Sequence, residues 1–328
     1  MYPRRLIGLL ILICCNLTCQ LKAQTFLPKS IILMDDKFTH HAVVVEKSSH
    51  RLFLYANNSG SPRLVTSFQI ATGKNTGDKL IEGDEKTPEG FYQLNKFFPA
   101  EHLTKTYGDY GKIYGSGAFV LNYPNIIDRV QGKTGGGIWL HSTDDETRIS
   151  KGLDSRGCVV LSNKDLKEIS RYIDLDTKTP IIIEDAITYW SEATWKKNKD
   201  QIHQSLQAWF SAWNQTHIKS YLSFYHKNEF KEQKGMNYNT WADHKDRVFK
   251  TAKDTLIKMD YPSIFLHDRH AYISFQQNYT SSLVRDTGRK IMIWKKDTEY
   301  NWKIIYEGWE SIDAVSQLAF TPSQRFFR

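Results

Sequence analysis

His141 and Cys158 are the residues of this chain whose types and placement could do chemistry. The histidine closes the apolar run Ile138-Trp139-Leu140-His141. The cysteine ends Ser155-Arg156-Gly157-Cys158 and opens a second apolar run, Val159-Val160-Leu161. A thiol needs a base to become a nucleophile near neutral pH, and an imidazole beside it supplies one. Gly157 permits an unusual backbone conformation before the nucleophile. Backbone N–H groups around Gly157 and Cys158 could then face a carbonyl oxygen as it becomes an oxyanion. That is equipment for acyl transfer through a thioester. The same spacing is also compatible with a core cysteine and a core histidine that merely flank two strands.

Both residues are expected on strands. The segment from 42 to about 185 is strand-rich: 42–46 and 51–55 read as a hairpin around Ser48-Ser49-His50, followed by strands at 64–71, 90–94, 118–121, 137–141, 158–161 and 181–183. Sixteen mostly polar residues separate His141 from Cys158, enough to bring the second strand back beside the first. One helix is expected after the cysteine, opened by the capping pattern Ser162-x-x-Asp165 and carrying Leu166, Ile169 and Ile173 on one face. Many short strands with little helix imply a β-rich sandwich or barrel. After about residue 186 the character changes. Residues 190–225 read as helical, another charged helix is expected from about Trp241 through Lys258, and long strands follow at 270–279, 283–295 and 302–310. Helices followed by a strand meander describe an α+β domain.

The cysteine count bears on the thiol. Cys14, Cys15 and Cys19 fall in a segment that reads as a secretory signal, 1–23: Arg4 and Arg5, an apolar run from Leu6 to Cys15 too short to cross a bilayer, and Leu21-Lys22-Ala23 as a cleavage site. An uncleaved anchor and, less well, a lipoprotein are the other readings. Once exported, the chain would keep Cys158 as its one cysteine, so the thiol is either inert or reactive by purpose. The formal charge of +8, or +5 without Arg4, Arg5 and Lys22, suits an anionic envelope polymer. No basic run with interleaved aromatics points to nucleic acid. No His-Glu-x-x-His or similar spacing points to a metal, and no cofactor is expected. Gly132-Lys133-Thr134 is not a phosphate loop, because Ile127 stands where that motif needs glycine.

Ser155-Arg156-Gly157-Cys158 with the upstream Trp139-Leu140-His141 resembles the L,D-transpeptidase catalytic domain of bacterial peptidoglycan enzymes. The hairpin at 42–55, the turn Thr87-Pro88-Glu89-Gly90 and the stretch from Phe119 to Asn125 match in order, so the resemblance covers about 40–185. It implies Cys158 as nucleophile, His141 as base and then acid, the backbone carbonyl of Ser142 orienting the histidine, and Ser155, Arg156 and Gly157 shaping the pocket. The substrate class implied is peptidoglycan stem peptides. Many members carry Arg two residues after the cysteine, where this chain has Val160, which leaves water open as the acceptor. Residues 186–328, with Trp209-Phe-Ser-Ala-Trp213, Tyr221-Leu-Ser-Phe-Tyr225 and strands ending near Trp309, resemble the cone-shaped domain of the nuclear transport factor two-like superfamily. The two together are similar to cell-shape L,D-carboxypeptidases, which trim stem tetrapeptides to tripeptides. Trp209, Trp213, Tyr225 and Trp241 are either cone core or the lining of a pocket for a glycan or protein ligand. Two other classes stand beside the enzyme. One is an exported wall-binding module with an inert thiol. The other is a thiol-exchange protein, which the want of a second cysteine disfavours.

Overall fold

The computed structural model describes residues 25–252, 254–312 and 320–327. The expected signal, 1–23, lies outside the described residues. In chain order the first elements are β1 (Phe26–Pro28), β2 (Ile31–Leu33), β3 (His41–Glu46), β4 (Arg51–Asn58), β5 (Ser61–Gln69), β6 (Thr72–Gly73), β7 (Gly90–Pro99), α1 (Ala100–Tyr107), β8 (Gly117–Leu121), α2 (Ile126–Val130), β9 (Trp139–His141), α3 (Thr147–Lys151), β10 (Leu153–Ser155), β11 (Val159–Val160), α4 (Asn163–Ser170) and β12 (Pro180–Glu184). Eight of these strands form one sheet in the order β11-β9-β8-β7-β12-β3-β4-β5.

Alternation gives that sheet two unlike faces. Val43, Leu54, Tyr92, Leu94, Phe119, Leu121, Leu140, Val159 and Ile181 point into one core, closed by Leu166, Ile169 and Ile173 from α4 and its continuation. The helix begins where its sequence signal lies: Ser162 Oγ accepts from the Asp165 N–H at 3.0 Å. The short helices α1, α2 and α3 were not expected. Each has only one or two turns, too few for an apolar period to show.

The chain continues through β13 (Tyr189–Ser191), α5 (Glu192–Asn214), α6 (Ile218–Ser223), β14 (Lys231–Glu232), α7 (Tyr238–Thr251), β15 (Leu256–His267), β16 (His270–Thr280), β17 (Arg285–Lys296) and β18 (Trp302–Ser311). The expected helix from about Trp241 through Lys258 is corrected at both ends. It starts at an Asn237 cap, whose side chain accepts from Thr240 N–H, and stops at Thr251, because Ala252 turns extended. Lys258 lies in β15, a strand the charged composition had hidden and which pairs along its length with β16. Helix α5 likewise starts after the short strand β13 and not at Trp190, with Ser191 as its cap.

A second sheet runs β14-β18-β17-β16-β15-β2. Its inner face closes over α5, α6 and α7 in a cone core that includes Trp209, Trp213, Tyr221, Tyr225, Trp241, Phe275 and Trp294. The four aromatics weighed as pocket lining are thus buried among one another. They surround an ionic cluster in which Lys290 pairs with Glu307 at 2.6 Å and Tyr225 donates to the same carboxylate at 2.5 Å.

The two units are laced together. β2 precedes the first sheet in sequence yet is an edge strand of the second, against β15. The outer face of the second sheet, through Phe265, Tyr272 and Ile293, packs on Val44, Ile182 and Phe91 of the first. In return, Phe326 and Phe327 near the C-terminus pack against Phe97 and Phe119.

Candidate active site

His141 ends β9 and is held from both sides. It lies opposite Ala118 of β8 and beside Val160 of β11, and its carbonyl accepts from Leu161 N–H at 2.8 Å. Leu140, Val159 and Phe119 face the core, so strand alternation turns Trp139 and His141 to the opposite face of the sheet. Cys158, just before Val159, lies on that opposite face too, packed with Trp139, Ala118, Val120 and Tyr114.

The imidazole is 2% exposed. Its Nδ1 lies 2.5 Å from the Ser142 carbonyl oxygen, which can only accept, so Nδ1 carries the proton and Nε2 keeps its lone pair. The Tyr114 ring meets the imidazole edge-to-face at 5.0 Å. Burial pulls His141 down to about 4; the bond to Ser142 opposes that shift and the Arg148 charge adds to it. The resting histidine is therefore a neutral base. Asp144, Asp145 and Glu146, which follow His141, are exposed, and two of them serve elsewhere: Asp145 accepts from Thr147, and Glu146 accepts from Asn163 N–H.

Ser155 folds the cysteine loop. Its Oγ donates to the Cys158 carbonyl at 2.6 Å and accepts from Gly157 N–H at 3.0 Å. Gly157 has φ +119°, and a Cβ there would stand 2.7 Å from the Lys86 carbonyl oxygen, so the position accepts only glycine without strain. The Gly157 N–H is committed to Ser155. The Cys158 N–H has no hydrogen-bond acceptor among the described residues. The partly buried thiol lies 3.5 Å from the Gly137 carbonyl. Burial pushes it up to about 11, against the pull of the Trp139 N–H and the charges of Arg156, Arg148 and Lys79. Arg156 is exposed and sits over the Tyr110 ring, 5.6 Å from its centroid.

Three residues that sequence reasoning did not single out complete the arrangement. Arg148 ties the loop after the histidine to the strand before the cysteine: it donates to Thr143 Oγ1 at 3.2 Å and to the Asp154 carboxylate. Asn163, the first residue of α4, accepts from Ser116 N–H at 2.9 Å and donates to the Thr143 carbonyl at 2.7 Å. Tyr114 stands against both Trp139 and His141. None had a local signal: Asn163 and Tyr114 act through partners distant in sequence, and Arg148 bridges the two ends of an irregular loop that follows no period.

Two solved structures are similar over most of the chain. Bd1075 of Bdellovibrio bacteriovorus is 30% identical with a TM-score of 0.76, covering 88% of this chain and all of that one. The helical cell shape determining protein Pgp2 of Campylobacter jejuni is 32% identical with a TM-score of 0.65, covering 86% and 95%. Residues 40–183 match the L,D-transpeptidase catalytic-domain (YkuD) model. The chain belongs to the L,D-transpeptidase catalytic-domain family. Residues 201–308 of this family member match the Cds6 C-terminal NTF2-like domain, so the second unit is an NTF2-like α+β domain. The putative L,D-transpeptidase YafK of Escherichia coli K12 is 26% identical over 134 residues, or 40% of this chain. This L,D-transpeptidase relative is matched over 46% of its length, so the chain spans about half of it.

Proposed function

We propose that the protein is a cysteine enzyme of the bacterial envelope that transfers the acyl group of peptidoglycan stem peptides through a thioester at Cys158. The observation that carries this reading is the pinned tautomer of His141. With Nδ1 donating to Ser142, the free Nε2 is a base on the sheet face that also holds the thiol. The thiol, held up near 11, and the imidazole, held down near 4, both rest neutral on that face. The proton therefore moves to Nε2 as sulfur attacks the scissile carbonyl. The oxyanion that forms is met by the Cys158 N–H, since the Gly157 N–H is held by Ser155. Collapse breaks the C–N bond, His141 returns the proton to the departing D-Ala amine, and a thioester remains. An acceptor then attacks the thioester carbonyl, loses its proton through His141, and frees the thiol.

Water as that acceptor, giving an L,D-carboxypeptidase, is favoured by Val160. The side chain two residues beyond the nucleophile is fully buried against Ala71 and Ile149, so no cation stands there to hold a second stem peptide. Incubation with disaccharide-tetrapeptide, followed by mass spectrometry, tests both readings. Release of D-Ala alone, absent in Cys158→Ala, supports hydrolysis. Cross-linked dimers or exchange of an added D-amino acid support transpeptidation. An unmodified substrate with wild-type protein counts against the enzyme.

A further inference from the structure

A cavity of about 330 Å³ lies between the two units, away from Cys158. One wall is the first sheet, through Phe91, Gln93, Asn95 and Asn122. The other is the outer face of the second sheet, through Tyr272 and Tyr306. The volume is at the lower end of small-ligand sites, about 300–1,000 Å³.

Strand register sets this cavity on the catalytic face. Phe91 pairs with Ile182, and Gln93 with Pro180. Their neighbours Tyr92 and Leu94 point into the first core, as do Leu121 and Leu140. Phe91 and Gln93 thus project from the face that also carries Val120, Trp139, His141 and Cys158. From β11 to β7 is three strand spacings, about 14 Å. In a disaccharide-tetrapeptide, three residues separate the sugar from the bond that is cut. Extended, they span about 10 Å, to which the sugar–peptide ether adds.

The lining favours a neutral, amide-bearing ligand. The side chains of Gln93 and Asn95 have no partner among the described residues, so both carboxamides keep a donor and an acceptor available. The cations on the walls are engaged within the chain. Lys178 pairs with Glu310 at 2.7 Å, Arg289 donates to the Thr177 carbonyl and to Ser274 Oγ, and Arg129 donates to the Pro124 carbonyl. Phe91 and Tyr272 stack on each other at 4.5 Å and close the cavity where the two sheets meet, and the free carboxamides beside them suit the acetamido group of an amino sugar.

We infer that this interdomain cavity is a glycan subsite, in which an acetamido sugar of the wall polymer docks while its stem peptide runs along the sheet face to Cys158. The inference rests on the proposed function for its peptide end, but the sugar contact stands separately. It gives the NTF2-like unit a role as the second wall of a substrate site.

The test compares full-length wild type with Gln93→Ala/Asn95→Ala on two substrates, disaccharide-tetrapeptide and sugar-free tetrapeptide. Wild type should show a KM lower by about tenfold for the sugar-bearing substrate, and the double variant should lose that advantage at unchanged kcat. The sugar-free tetrapeptide should be processed equally by both. A second arm titrates tri-N-acetylchitotriose into Cys158→Ala protein by calorimetry. Binding should be seen there and be weakened about tenfold by the added double substitution. Equal KM for the two substrates, or a double variant that keeps the preference, would overturn the subsite. If no D-Ala is released at all, the proposed function fails and the chitotriose arm decides alone: absent binding, or binding indifferent to the substitutions, overturns the subsite.

Discussion

At the scale of single residues the pair His141 and Cys158 sets the sharpest expectations. Cys158→Ala removes the sulfur from a partly buried position, so D-Ala release should vanish while stability changes by about 1 kcal/mol or less. A circular-dichroism melt beside the product assay checks both. His141 carries its own pH signature. Its pKa falls from 6.5 to about 4 on folding, so the unfolded chain binds the extra proton between those values. Stability from this group is fully present above pH 6.5 and is lost as pH falls through 4, by roughly 3 kcal/mol. His41 and His270 are depressed as well, so the contribution of His141 is the difference between wild type and His141→Gln in melts across that window. Activity should fall over the lower part of the same window, as Nε2 takes up a proton and ceases to be a base.

At the scale of elements, the site depends on loops tied to the sheet. Asn163 joins Ser116, before β8, to Thr143, after β9, through three hydrogen bonds. Asn163→Ala should cost about 1–3 kcal/mol, with a larger proportional fall in kcat than in KM, because the loss is of orientation at His141. Steady-state kinetics with a denaturant melt separate these effects. Gly157→Ala should cost about 1–3 kcal/mol for its positive φ, and the Lys86 carbonyl must also shift. Gly157 and His141 were legible in the sequence because a glycine before a lone cysteine and a histidine ending an apolar strand are local patterns. Asn163 and Arg148 were not. A polar residue at a helix start and an arginine in a charged loop read as solvated until the fold brings Thr143, Ser116 and Asp154 to them.

At the scale of the whole molecule, the chain is fastened at both described ends. β1 pairs with β13 and β2 with β15, while Phe320 stacks on His40 and Phe326 and Phe327 sit on the first core. Phe326→Ala/Phe327→Ala should lower stability by roughly 1–2 kcal/mol per ring, since both are only partly buried. Calorimetry would show the loss as a lower melting temperature. Because Phe119 pairs with Leu140, beside His141, loosening these rings should also reduce turnover.

What the sequence determined by itself was local: the strand alternation, the Ser162 cap, the order of a β-rich unit before an α+β unit, and a cysteine box with its histidine. Each is written in neighbouring residues, through a period of two or a cap three residues long. The boundary between α7 and β15 was misread for the same reason, since charge along 250–258 hid a turn that only pairing with β16 resolves. Tertiary structure alone decided that His141 and Cys158 share one face of the sheet, that Asn163 ties Ser116 to Thr143, and that a cavity lies between the two sheets. These rest on contacts between segments distant in the chain. Their geometry is fixed by packing and register, which no local pattern encodes.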